Sequence, residues 1–221
     1  MTPLVGYHVR TPAGIPANVG GVAYDYLVGA GGVYIAAENA VLDATITVAA
    51  ADIRGLTEVH PGFELKPGRI PEVIWWAIHD ICTDAARRGH EVLCEVVHTM
   101  AGYQLARPRQ ITSGVAVRYE PSDGCVLQLH SHHRMPAYFS HTDDADEQGL
   151  CLYGVLGRLG CPPRQEEVLL RIGVYGYYAA VPWELVFAGE LGTVHDLARG
   201  CPRRESNDMD QDQQEQEELA R

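Results

Sequence analysis

The sequence predicts an α+β protein whose mixed sheet is flanked by helices, and three observations carry that expectation. Short apolar runs rich in Val, Ile and Tyr recur between Gly and Pro clusters, the pattern of strands separated by turns. One segment, residues 71–88, instead repeats its apolar residues at helical spacing. The order is strands, helix, strands, a short polar segment, then strands again, not the regular alternation of a parallel βαβ sheet.

Residues 22–59 read as β-rich, with "VAYDYLV" and "GVYIAAE" flanking "GAGG" and "ATITVAA" following. A hairpin on a glycine turn accounts for them. Glycines 29, 31 and 32 lack the G-x-G-x-x-G spacing of a nucleotide loop, and no helical pattern follows them. "HPGFELKPGRIP" reads as a Pro/Gly-rich connector, which makes 1–69 a small β-rich N-terminal domain with its linker.

The helix of 71–88 has Pro71 for its first turn. Ile74, Ala77, Ile78, Ile81 and Ala85 form its apolar stripe, Arg87 and Arg88 suit its C-terminal dipole, and Gly89 can cap it. Trp75 and Trp76, beside that stripe, read as core or interdomain packing. "HEVLCEVVHTM", "GVAVRYEP" and "GCVLQLHSHH" then read as strands, with "PSDG" as a turn. "LCLYGVLGRL", "VLLRIGVYGYYAAV" and "ELVFAG" are expected to extend the sheet, giving a second domain over 70–199. Residues 200–221 are Gln/Glu/Asp-rich and poor in apolar residues, so a disordered acidic tail is expected.

Composition narrows the function classes. With 46% hydrophobic and 21% charged residues in 221, collagen-like, coiled-coil and wholly disordered chains are excluded. A net charge of -12 argues against direct nucleic-acid binding, which depends on clustered Lys and Arg. No run approaches the ~18 apolar residues that span a bilayer. The start "MTPLVGYHVRTPAG" lacks a basic region followed by an apolar stretch, so a cytoplasmic location is expected. Six cysteines without a C-x-x-C pair read mostly as reduced core thiols.

The chemistry concentrates in "LHSHHRMPAYFSHTDD", residues 129–144. Strand side chains two apart share a face, so His130 and His132 point together while Leu127 and Leu129 point to the opposite side. Two such imidazoles can hold one cation at about 2.0–2.1 Å, and a catalytic zinc takes a third protein ligand. Ser140 and Asp143 follow in the pattern H-x-H-x7-S-x-x-D. Their spacing is that of a capping box, so a short helix should begin here with Asp143 in its first turn. Asp143 is then the third ligand, and Ser140 is left free to hydrogen-bond a substrate carbonyl. His133, His141 and Asp144 read as ordinary polar neighbours.

This pattern resembles the JAMM, or MPN-type (JAB domain), metalloprotease family, whose signature is a glutamate upstream of H-x-H-(P)-x-S-x-x-D. The resemblance implies that Glu91, opening the strand after the helix, is the general base, with Glu95 on the same strand face as second choice. It spans about residues 70–190. The chain departs from it at His133, where many members have proline. The run "HSHHRMPAYFSHTDDADEQGLCLYGVLGRLG", with "ADIRGL" and "VPWELVF", is further similar to the PRTRC system protein A family of bacterial cassettes.

The resemblance implies a Zn2+-dependent peptidase or isopeptidase. It would cleave at the C-terminus of a ubiquitin-like protein, Glu91 would transfer the proton, Ser140 would donate to the oxyanion, and a ThiF-like protein would be a partner. The alternative in the same family is a zinc-stabilised, non-catalytic scaffold. Other metal and hydrolase chemistries fit less well. A cupin would need a glutamate where Pro136 and Ala137 stand. The zincin H-E-x-x-H, the deaminase P-C-x-x-C and the G-x-S-x-G elbow do not occur.

Overall fold

Helix α1 (Glu72–Arg87) joins two sheets, and its sequence explains both its ends and its buried face. Pro71 stands at its N-cap position, one residue before the helix rather than inside its first turn. Gly89, at φ +76°, follows the last turn, where a left-handed residue lets the chain leave. Ile74, Trp75, Ile78, Cys82 and Ala85 are the buried side. The computed structural model describes residues 3–14, 20–108, 111–113, 116–118, 122, 124–160 and 166–199. The acidic tail expected over 200–221, Cys161, Cys201 and part of "GVAVRYEP" and "PSDG" lie outside them.

Before α1, five strands form one sheet in sequence order: β1 (Val5–Val9), β2 (Tyr24–Gly29), β3 (Gly32–Glu38), β4 (Leu42–Ala50) and β5 (Gly62–Leu65). The β2–β3 hairpin closes at glycine, with Gly29 paired to Gly32. Strand β1 escapes the sequence reading, and β5 occupies what reads as a connector. Four residues beside Pro and Gly give too short a run to separate a strand from a loop.

After α1 come β6 (Leu93–Thr99), β7 (Gly102–Ala106), a small ladder of β8 (Ile111–Ser113) and β9 (Ala116–Arg118), β10 (Cys125–Ser131), helix α2 (His141–Asp146), β11 (Leu150–Gly157), β12 (Glu167–Val174), β13 (Tyr177–Ala180), helix α3 (Trp183–Val186) and β14 (His195–Asp196). The main sheet has the order β13-β12-β11-β10-β6-β7, with β14 beside β12. It is mixed: β10 runs parallel to β11 and β12 parallel to β14, while the other neighbouring strands pair antiparallel. The expectation of strand for "ELVFAG" is corrected: Pro182 opens one helical turn, and Phe187 alone bridges back to Ile70. Proline at a helix entrance presets φ for that turn.

The two ladders are separate, yet their apolar faces meet in one core. Ile35, Leu42 and Ile46 of the first sheet belong to the same buried cluster as Trp75, Leu127, Leu129, Leu152, Leu170 and Phe187. Trp75 packs edge-on against Trp183 at 5.6 Å between ring centroids. Trp76 is instead 36% exposed, so only one of the two tryptophans is core. The first sheet and α1 thus cover the face of the main sheet that carries Leu127 and Leu129. The alternate residues Gln128 and His130 point to the other face, where the loop after β10 and α2 lie. Among the described residues, no helix is long and apolar enough to cross a membrane.

Candidate metal centre

Strand alternation does the first positioning. Leu127 and Leu129 are fully buried against α1, which turns His130 to the opposite face at the strand's end. His132 lies just past the strand, held by its own N–H to the Leu156 carbonyl of β11 at 2.9 Å. The two imidazole Nε2 atoms stand 3.1 Å apart. Adjacent ligands of a tetrahedral ion at 2.0–2.1 Å would be about 3.3 Å apart, so the pair is already spaced for one metal.

The third group arrives on α2. Ser140 caps the helix in the predicted capping box: its Oγ accepts from the Asp143 N–H at 3.3 Å, while Asp143 Oδ2 accepts from the Ser140 N–H at 2.6 Å. The Ser140 hydroxyl also donates to Asp143 Oδ2 at 2.7 Å. One carboxylate oxygen is thereby occupied by two donors, and the other, Oδ1, lies 3.6 Å from His130 Nε2. His130, His132 and Asp143 together offer ligand atoms within 4.8 Å of one another, a group that could hold a metal ion.

Burial disfavours a proton on His130. Burial pushes the His130 pKa down to about 4; Asp143 opposes the shift, and His132 and Arg171 add to it. The His130 side chain is 16% exposed. Its imidazole is therefore neutral near pH 7, with a lone pair available. His132 Nδ1 lies 3.2 Å from the Pro136 carbonyl, which can only accept, so Nδ1 donates there and Nε2 is the nitrogen turned to the site.

Glu91 and Glu95 separate on register. Glu95 pairs with Gln128, and its fully buried carboxylate accepts from Gln128 Nε2 at 3.0 Å, from the Ser122 N–H at 3.2 Å and from the Ser122 hydroxyl at 2.5 Å. Glu91 stands just before β6. Leu93 pairs with His130, and the Ser131 N–H bonds the Val92 carbonyl at 3.0 Å. Glu91 itself lies outside that ladder, beside a cavity lined by Ala85, Arg88, His90, Val92, Arg107 and Pro108.

Ser140 differs from its expected role as a free donor, because its hydroxyl is engaged with Asp143. His133 has φ +46° and turns the chain, its carbonyl accepting from Leu159 at 2.6 Å, while His141 is exposed. Asp144 is no mere neighbour: its Oδ1 binds Arg171 Nη1 at 2.6 Å. Arg171 also binds the buried Glu147 and lies 3.7 Å from the ring centroids of Phe139 and Tyr178. The sequence does hold a signal for it, since an arginine inside the apolar strand "VLLRIGV" must be paired if that strand is buried.

Compared with known families, residues 71–172 match the prokaryotic homologs of the JAB domain. The match runs from the start of α1 into β12 and includes Glu91, the three candidate ligands and Arg171. No curated protein matches the chain.

Proposed function

We propose, from the premise that residues 71–172 form a JAB domain of the JAMM/MPN type, that this protein is a zinc-dependent peptidase or isopeptidase. The observation that carries the reading is the convergence of His130, His132 and Asp143, whose ligand atoms lie within 4.8 Å of one another with 3.1 Å between the two imidazole nitrogens. Two imidazoles and a carboxylate are a donor set that suits zinc. Bound there, zinc would supply Lewis-acid polarisation of a carbonyl and would lower the pKa of a water towards about 7.

The chain's own groups then divide the work. Glu91, just before β6, takes the proton from the attacking water and returns it to the leaving amine. Ser140 has two tasks. Its backbone N–H keeps Asp143 Oδ2 in place, while its hydroxyl can turn from Asp143 towards a developing oxyanion, an interaction worth about 3 kcal/mol when aligned. Tyr138 packs edge-on against the His132 ring at 4.7 Å between centroids and is 45% exposed, so it forms an apolar rim beside the reacting carbonyl.

The substrate proposed is a ubiquitin-like protein cleaved at its C-terminus, with a ThiF-like protein as partner in a PRTRC-type bacterial setting. These finer points rest on family likeness, and fold likeness alone does not fix a substrate. A second reading, a zinc-stabilised scaffold without catalysis, is favoured by one observation: the Ser140 hydroxyl is committed to Asp143.

Cleavage of ubiquitin-like fusions carrying C-terminal extensions, followed by intact mass, separates the two. The enzyme reading expects a shortened product that Glu91→Gln abolishes while zinc content stays at about one per chain. Zinc-loaded protein that cleaves none of the fusions, with Glu91→Gln indistinguishable in partner binding, would support the scaffold instead.

A further inference from the structure

Asp143 is the one candidate ligand that does not sit on or beside the sheet, and the helix carrying it has no apolar anchor. Helix α2 is six residues long, and none of them is buried. So short a helix is not stable by its backbone bonds alone, and it has no apolar stripe to dock. Something else must hold Asp143 against the histidines.

That hold comes from β12 and β13. Arg171 is 8% exposed and projects from the middle of β12, on the face opposite the shared core. Its Nη1 binds Asp144 Oδ1 at 2.6 Å, and its Nε and Nη2 bind Glu147 Oε2 at 3.0 and 2.6 Å. The guanidinium plane is flanked by Phe139, the residue before the Ser140 cap, and by Tyr178 of β13, each ring centroid 3.7 Å from Cζ. Tyr178 closes the arrangement, its hydroxyl lying 3.0 Å from the Asp144 carbonyl and 2.7 Å from the Glu147 carbonyl. Asp144 and Glu147 lie on either side of one helical turn, so a single rigid guanidinium fixes both the position and the rotation of α2. Phe139 extends the same hold to the cap and packs edge-on to the His130 ring, 6.5 Å between centroids.

We propose that Arg171, supported by Tyr178, is the positioning residue of the metal centre: it clamps α2 so that Asp143 Oδ1 stays at bonding distance from the cation that His130 and His132 hold. The inference rests on the metal-centre reading above. The hydrogen bonds of Arg171 go to Asp144 and Glu147, not to the three ligands, so apart from its charge, which His130 feels, it acts through α2. A lysine cannot replace it, because an ammonium neither reaches two carboxylates in one plane nor stacks between two rings.

The test is zinc affinity of the full chain by chelator competition. The variants are Arg171→Met, Arg171→Lys, Tyr178→Phe, Asp143→Ala and the double variant Arg171→Met/Asp143→Ala. Removing an outer partner of a metal ligand costs about ten- to a hundred-fold in affinity. Arg171→Met and Arg171→Lys are expected to lose that much. Tyr178→Phe, which keeps the ring and the fold, should lose a smaller amount. The double variant should bind no more weakly than Asp143→Ala alone, because a clamp acting through Asp143 has nothing left to position.

Zinc binding in the natural chain with undiminished affinity in the folded Arg171 and Tyr178 variants overturns the clamp and leaves the metal reading standing. So do losses that add to that of Asp143→Ala. If Arg171→Met does not fold, Tyr178→Phe decides alone. Absence of zinc binding in the natural chain overturns the metal reading and the clamp with it.

Discussion

Gly157→Ala should damage both stability and metal affinity, although residue 157 is neither a ligand nor in a left-handed conformation. A Cβ at this position would lie 2.3 Å from the Ala137 nitrogen, 2.5 Å from the Pro136 carbonyl carbon and 2.7 Å from the Met135 oxygen. Those distances fall about 1 Å short of ordinary van der Waals separation, and all three neighbours are backbone. The loop over β11 must therefore lift. It is tied down by Arg158 N–H to Met135 O at 2.7 Å and by Leu159 N–H to His133 O at 2.6 Å. Overpacking costs about 1–3 kcal/mol, and each strained hydrogen bond about 1 kcal/mol. The alanine recovers about 0.4–1 kcal/mol by restricting the unfolded chain, and with both hydrogen bonds strained the net loss is about 2–4.5 kcal/mol. The same loop carries the Pro136 carbonyl that orients His132, so zinc affinity should fall about ten-fold or more. Urea unfolding of the metal-free chain reads the first quantity and chelator competition the second. Gly62→Ala is the control, since a Cβ there meets nothing within 4 Å and the change should stay within about 0.5 kcal/mol. Gly157→Ala with unchanged stability and zinc affinity would refute the claim that close backbone approach at β11 sets the loop.

Ser140→Ala removes the helix cap and one of the two donors on Asp143 Oδ2; a loss of about 1 kcal/mol in denaturant unfolding, with weaker zinc binding, is expected. Ser140→Thr, which keeps the hydroxyl, should recover most of it. The depressed His130 pKa makes the metal-free fold acid-sensitive, with the sign set by linkage. Below about pH 6.5 the unfolded chain gains a proton that the folded one refuses until about pH 4. Stability attributable to His130 is therefore complete above pH 6.5 and declines as pH falls towards 4. Unfolding midpoints measured across that window should show the decline, and His130→Gln should flatten it.

The candidate ligand group, which could hold a metal ion, was legible in the sequence because each part of it is local. Strand alternation puts His130 and His132 on one face, and a capping box announces where Asp143 must sit, so a window of fourteen residues holds the centre. Choosing between Glu91 and Glu95 was harder, because residues four apart on a strand share a face. Only the pairing of Glu95 with Gln128 shows that its carboxylate is committed. Arg171 lies twenty-eight residues beyond Asp143, and its partners Asp144 and Glu147 read as an ordinary acidic surface until β12 is brought against α2. Strands β1, β5 and β7 were missed for a related reason: four- and five-residue pieces are recruited by neighbouring ladders, not by their own periodicity. "ELVFAG" failed in the opposite direction, its apolar content reflecting burial of Val186 and Phe187 in a helical turn and its exit.

Metal content tests the central claim most directly. The chain purified without added metal and dialysed extensively should retain about one zinc per molecule. His132→Ala, with its secondary structure intact by circular dichroism, should retain none. A folded natural chain without zinc that also fails to take it up on titration, or a folded His132→Ala that keeps a full equivalent, would contradict the assignment of His130, His132 and Asp143 as one metal centre.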